Sequence, residues 1–194
     1  MKEILCKKRA KKLIRPLSKA FFQILGDYIG KVKKERPTKV ERALGQRRLN
    51  ELIAQLLFHE PDSTPFCNDA HYQASLTNLE RAGVAPGNEL LIAQAYEDAL
   101  CSQRTSGSYY TPPALARQLT TSAMAHLGGK ETFRLVDPAC GTGIFLLTAL
   151  TEIKEYSLLK EKNRKSIELL GVEKHGPTAQ LAEILVTSHS RVLE

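Results

Sequence analysis

Val136-Asp137-Pro138-Ala139-Cys140-Gly141-Thr142-Gly143-Ile144-Phe145-Leu146 is the stretch on which the reading of this chain turns. The short apolar run ahead of it, Phe133 to Val136, predicts a buried strand. The run behind it, Ile144 to Leu150, predicts a helix. Between them stand two glycines two residues apart, so the layout is strand, glycine turn, helix. Glycine has no Cβ and tolerates positive φ, so a ligand can come close to the backbone there. The helix that follows turns its unpaired N–H groups and positive dipole end toward the same space.

The spelling Asp-Pro-Ala-Cys-Gly-Thr-Gly-x-Phe-Leu resembles the first motif of the S-adenosylmethionine-dependent amino-methyltransferases of DNA, above all those acting on adenine N6. The resemblance implies a Rossmann-like methyltransferase fold with S-adenosylmethionine as cofactor. It carries over Asp137, Pro138, Ala139, Cys140, Gly141, Thr142, Gly143 and Phe145 as cofactor-binding positions. The glycines would border the methionine half, and Asp137 would lie close to its amino group. Cys140 lies within the motif, but no partner base accompanies it, so it reads as a small side chain packed under the turn.

One helix earlier stands Gly107-Ser108-Tyr109-Tyr110-Thr111-Pro112-Pro113-Ala114-Leu115-Ala116. Here Thr111 predicts an N-cap, Pro112 a first helical position, and Pro113 a place in the same first turn. The helix would continue through Leu115, Leu119 and Met124 to Leu127, and Gly128-Gly129 would stop it. The backbone at Tyr110 and Thr111 then sits at a helix N-terminus, where a carboxylate is welcome. Tyr-Tyr-Thr-Pro-x-x-Leu-Ala resembles the motif that precedes the glycine turn in the adenine-N6 enzymes. By that resemblance Tyr110, Thr111 and Pro112 would hold the methionine carboxylate of the cofactor.

After the glycine turn a helix is predicted from Gly143 to about Tyr156, then a charged connector from Lys154 to Lys165 that is helical before it becomes exposed. Ser166 to Glu173 reads as a second parallel strand ending in an acid. An acid so placed usually accepts hydrogen bonds from ribose hydroxyls, which both carboxylate oxygens can do. Gly171-Val172-Glu173 with the later Ala179, Leu181 and Ala182 resembles the second cofactor motif of the same methyltransferases. The match is partial: Lys174-His175 stands where many relatives have an aliphatic residue and an aspartate. The gap from Asp137 to Glu173 also exceeds the roughly 20 residues usual for such a pair, so residues 154–165 read as an insertion. Thr178 to Val192 predicts the following helix.

The chain has 194 residues, 42% hydrophobic and 25% charged, which suits a domain or slightly more with a buried core. No apolar run approaches the roughly 20 residues of a membrane span, and no secretion signal is read at the N-terminus. Cys6, Cys67, Cys101 and Cys140 are scattered, so neither a metal motif nor a disulfide framework is expected, and a reducing cytoplasm fits.

Charge is unevenly spread. Residues 1–50 hold 16 Lys and Arg against 4 Asp and Glu, while the remainder holds 12 against 17. A basic lead on a mildly acidic body suggests a phosphate partner such as DNA, or a solvated extension. A short basic amphipathic helix is expected early in the lead, broken near Pro16, and Gly26 and Gly30 loosen the chain after it. Helices are then predicted over about Val40 to Phe58, with Gly45 a weak point, over Asp69 to Ala82, and over Glu89 to Leu100. In the first of these Val40, Ala43, Leu44, Leu49, Leu52, Ile53, Leu56 and Leu57 form the apolar pattern.

The expected organisation is therefore α/β: a basic N-terminal arm (1–39), a helical region (40–104), and the N-terminal part of a methyltransferase domain (105–194). The family's transfer step uses an Asn/Asp-Pro-Pro-Tyr/Phe motif, which holds the target amino group and stacks the flipped base. Thr111-Pro112-Pro113 and Asp137-Pro138-Ala139 are the nearest strings, so the motif is absent and no catalytic residue is assigned. The leading expectation is an adenine-N6 DNA methyltransferase truncated before that motif. The alternative is a non-catalytic cofactor- or DNA-binding subunit or remnant. Either way DNA is the expected partner, with a separate chain carrying the catalytic and target-recognition parts as a further one.

Overall fold

The computed structural model describes residues 14–27, 38–59, 69–101, 111–127, 132–160 and 166–193. Two compact units divide the chain, Met1–Gly107 and Ser108–Glu194.

The first unit is helical among its described residues. Helix α1 covers 14–27, α2 Lys39–Phe58, α3 Ala70–Ala82 and α4 Glu89–Cys101. The expected break near Pro16 falls in the first described turn of α1, and residues 1–13 ahead of it lie outside the described residues. Ile14, Leu17, Phe21, Ile24 and Leu25 recur at helical spacing and are all buried. Burying one such side chain is worth about 1.5–3 kcal/mol, which anchors α1 in this unit. The other basic positions of the lead, 1–13 and 28–37, lie outside the described residues.

Helix α2 begins with a reciprocal cap. The Glu41 amide donates to Thr38 Oγ1 at 3.2 Å, and the Thr38 amide donates to Glu41 Oε2 at 2.7 Å. The Thr38 amide first, and then the Thr38 hydroxyl donating to the same Oε2 at 2.9 Å, hold the Glu41 carboxyl below its ordinary range. Thr38→Ala is expected to lower stability by about 1 kcal/mol, read as a lower midpoint in urea unfolding with the slope unchanged. An unchanged midpoint would show that the cap contributes nothing. The apolar pattern of α2 is shorter than expected: Leu49, Leu52, Ile53 and Leu57 are buried, but Val40 and Leu44 are 69% and 58% exposed. Gly45 is buried inside the unbroken helix. The α2–α3 pair is tied by Tyr72, whose hydroxyl donates to Gln55 Oε1 at 2.6 Å beneath the Arg48 guanidinium. Phe21 meets Tyr96 edge to face, joining α1 to α4.

The second unit holds helix α5 (Pro113–Ala125), strand β1 (Thr132–Asp137), helix α6 (Ile144–Lys160), strand β2 (Ser166–Gly171) and helix α7 (Gly176–Leu193). The strands pair in parallel, Thr132 opposite Ser166 through Asp137 opposite Gly171. Parallel neighbours need a crossover, and α6 supplies it. Residues alternate along β1: Phe133 and Leu135 are half-buried, Arg134 and Val136 exposed. Leu135 and Leu169 pack on a core of Cys140, Leu146 and Ala182. The opposite face carries the exposed Arg134–Glu168 ion pair and the apolar pair Val136 and Leu170, 50% and 44% exposed.

α6 runs one turn beyond the expected Tyr156, so the first part of the charged connector is helix, and 161–165 lie outside the described residues. Thr151 Oγ1 and His189 Nε2 share a hydrogen bond of 2.8 Å between α6 and α7. No helix among the described residues is long and apolar enough to cross a membrane.

The start of α5 corrects one expectation. The helix opens at Pro113, and Pro112 is its cap, in extended conformation with ψ 136°. A residue before proline is pushed out of the helical region, so Pro112 cannot be helical ahead of Pro113. Pro113 takes the first position, where its missing N–H costs nothing, and Thr111 lies one residue outside the cap.

Candidate cofactor site

β1 delivers Asp137 to the edge of the sheet, and the chain then folds tightly over the end of β2. The Val172 amide donates to the Asp137 carbonyl at 2.9 Å, and the Cys140 amide donates to the Val172 carbonyl at 2.9 Å. The Gly143 amide closes the turn on the Cys140 carbonyl at 2.8 Å, and α6 starts at the next residue. Gly141 and Gly143 have φ of 55° and 85°, the left-handed region that favours glycine. At Gly143 a side chain would also lie against Ala182 and Val186 of α7, its Cβ 3.4 Å from each.

Two carboxylates frame this turn. Asp137 Oδ1 accepts from the Ala139 amide at 3.1 Å, an Asx turn that fixes the side chain. Its Oδ2 is buried and finds no hydrogen-bond partner among the described residues. A buried carboxylate oxygen with spare lone pairs is costly to leave unmade, so this atom suits a donor brought by a ligand. Glu173 lies two residues beyond β2. Its Oε2 accepts from the Gly141 amide at 3.2 Å and its Oε1 from the His175 amide at 2.8 Å. An ionised carboxylate has about four acceptor sites, so each oxygen keeps capacity for a hydroxyl.

Cys140 is buried beneath the turn, 8% exposed, with Leu146 and Ala182. Burial, and then the negative charges of Asp137 and Glu173, push its thiol up from 9.0 to about 11. The thiolate is the reactive form, so Cys140 packs here and does no nucleophilic work. Iodoacetamide at pH 8 is expected to spare Cys140 in the folded chain and modify it after unfolding, as peptide mass analysis would show. Rapid modification in the folded state would refute this. The unfolded chain ionises this thiol near 9.0 and the folded chain near 11, so stability falls as pH rises between those values.

The structure thus brings Asp137, Cys140, Gly141, Gly143 and Glu173 into one hydrogen-bonded assembly. Thr142 is fully buried, Phe145 half-buried, and Pro138 and Ala139 are on the exposed rim. Thr111 and Pro112 stand at the start of α5. Polar ties to α6 hold that helix: Arg117 pairs with Glu152 at 2.6 Å and Glu155 at 2.9 Å, and Thr121 donates to Glu152 at 3.0 Å. Among the described residues no hydrogen bond links Thr111 or Pro112 to the glycine turn, and Tyr110 lies outside the described residues. The described residues hold no cluster of His, Cys, Asp and Glu fit for a metal ion. Two contributors were not among the candidate positions. The Val172 backbone continues the strand pairing into the turn, and the His175 amide holds Glu173. The sequence signal for the second was the position of His175, two residues past the acid at the start of a helix.

Comparison with known proteins follows the same residues. A family model described as N-6 DNA Methylase matches residues 89–190. The Type I restriction enzyme EcoEI methylase subunit of Escherichia coli is 31% identical over 104 residues, which is 51% of this chain and 20% of that protein. The chain therefore spans about a fifth of the length of this relative. A solved structure of a nuclease-deletion mutant of the Type ISP restriction-modification enzyme LlaGI, in complex with a DNA substrate mimic, aligns with TM-score 0.43 and 20% identity, covering 96% of this chain and 22% of that one.

Proposed function

The chain belongs to the N-6 DNA methylase family, and we propose that residues 105–194 are the cofactor-binding part of a Rossmann-like methyltransferase domain acting on adenine N6 in DNA. The observation that carries this reading is the pair of carboxylates about the glycine turn, Asp137 with its buried, unpartnered Oδ2 and Glu173 latched to the Gly141 amide.

Those residues fit S-adenosylmethionine. Asp137 Oδ2 would accept from its ammonium group, and Glu173 would accept from its ribose hydroxyls. Gly141 and Gly143 let the ligand approach the backbone, with Pro138, Ala139, Cys140, Thr142 and Phe145 shaping the turn around it. Thr111, Pro112 and Tyr110 would hold the methionine carboxylate at the start of α5. The bound cofactor would supply the electrophilic methyl group, so the task of this chain is positioning.

The target adenine needs groups this sequence does not spell, since no Asn/Asp-Pro-Pro-Tyr/Phe string is present. The groups that hold the base and complete the transfer are therefore read as lying outside these 194 residues, with a non-catalytic cofactor- or DNA-binding subunit of such an enzyme as the alternative reading. The exposed Val136–Leu170 face suits cover by the rest of such a domain, because parallel sheets are normally covered on both faces. The basic residues among 1–39 are assigned to DNA phosphates.

Isothermal calorimetry with S-adenosylmethionine tests the reading. Saturable one-to-one binding to the full chain is expected, with no methyl transfer to DNA by this chain alone. Absence of binding by protein that shows cooperative unfolding would overturn it.

A further inference from the structure

We propose that His175 and Thr178 are positioning residues that aim the Glu173 carboxylate at the cofactor ribose. The proposal rests on the reading of Glu173 given above and adds what holds that side chain in place.

A glutamate has three side-chain torsions, and one backbone donor leaves its carboxylate able to swing. Here two donors come from different elements: the Gly141 amide from the turn and the His175 amide from the start of α7. The direction of the second donor depends on the backbone at His175. That backbone is fixed twice over. The His175 carbonyl accepts from the Thr178 and Ala179 amides, both at 3.0 Å, which makes His175 the entry residue of α7. Its ring Nδ1 and Thr178 Oγ1 share a hydrogen bond of 2.9 Å. Thr178 is buried, 5% exposed, so its hydroxyl is a stationary anchor that needs this partner.

The chain of contacts therefore runs Thr178, His175, Glu173, Gly141. It links the first turn of α7 to the glycine turn through the one side chain assigned to the ribose. A short polar side chain at a helix start holds the first turn by a side-chain bond, and the imidazole does the same here through the threonine hydroxyl.

The experiment compares adenosine with 2′,3′-dideoxyadenosine, which lacks both hydroxyls, by NMR titration of the full chain. The wild type is expected to prefer adenosine, and Glu173→Gln to lose most of that preference. His175→Ala and the near-isosteric Thr178→Val are each expected to cut the preference about five- to tenfold, with dideoxyadenosine affinity changed less than twofold. His175→Asn, a good helix-start residue, is expected to restore it. A merely structural role would weaken both nucleosides alike, and that result overturns the proposal. If Glu173→Gln erases the preference but His175→Ala and Thr178→Val keep it, the positioning role falls and the Glu173 reading stands. If the wild type shows no preference, the Glu173 reading falls and takes the positioning role with it.

Discussion

Glu173→Ala is expected to raise the Kd for S-adenosylmethionine about 100-fold. The estimate comes from two hydrogen bonds between ribose hydroxyls and an ionised carboxylate, each worth about 1.5 kcal/mol, and a factor of ten per 1.4 kcal/mol. The truncation also strips the Gly141 and His175 amides of their acceptor, so the turn loses the bond that ties it to the end of β2. Glu173→Gln separates the two effects. An amide keeps one oxygen to accept, but it has no charge and offers an NH2 where the second acceptor stood. Its affinity is expected to lie between wild type and alanine, about tenfold weaker than wild type. Calorimetry on the three proteins gives the order, and thermal unfolding of each without ligand reports any loss of the turn itself. A Kd within threefold of wild type for the alanine variant would remove Glu173 from the site.

The parts of this chain that sequence made legible are those where backbone and side chain demand the same thing. Gly141 and Gly143 stood out by their place between strand and helix, and they take φ of 55° and 85°, the left-handed region that favours glycine. The helices expected over about Val40 to Phe58, Asp69 to Ala82 and Glu89 to Leu100 are found at Lys39–Phe58, Ala70–Ala82 and Glu89–Cys101. Other parts depend on neighbours that a local pattern does not contain. Val40 and Leu44 continue the apolar spacing of α2 and yet are exposed, since nothing in the sequence says where the opposing helix stops. At α5 the local rule was available: two consecutive prolines force the first out of the helix, and Pro112 rather than Thr111 becomes the cap. Within the site, the acid was visible as a strand-end residue. The hydrogen bond from the Gly141 amide that holds it was not, because a backbone donor has no spelling, and the His175 amide was signalled only by its position two residues past the acid.

Gly171→Ala is expected to destabilise the chain by about 1–3 kcal/mol, the usual cost of forcing a methyl into a packed interior. Gly171 ends β2 directly under the glycine turn. A Cβ built there would lie 2.9 Å from Cys140 Sγ, 2.9 Å from Leu146 Cδ1 and 3.2 Å from Cys140 Cβ. These neighbours have little room to give. Cys140 is pinned by the hydrogen bond its amide donates to the Val172 carbonyl, and Leu146 lies in the core with Ala182, packed on by Leu135 and Leu169. The added methyl must therefore push the turn away from β2, which lengthens the bond from the Gly141 amide to Glu173. Cofactor affinity should fall together with stability, unlike Thr38→Ala, which acts in the other unit and should leave affinity unchanged. For a unit of this size, 1 kcal/mol shifts the melting temperature by roughly 4–8 °C, so scanning calorimetry resolves the effect. Cys140→Ala supplies the internal check. It removes the sulfur that the methyl would strike, so in the double variant Gly171→Ala should cost less than it does alone, and the two changes should not add. A Gly171→Ala protein that melts with the wild type, or a double variant that is strictly additive, would show that β2 and the glycine turn are not packed against each other at this contact.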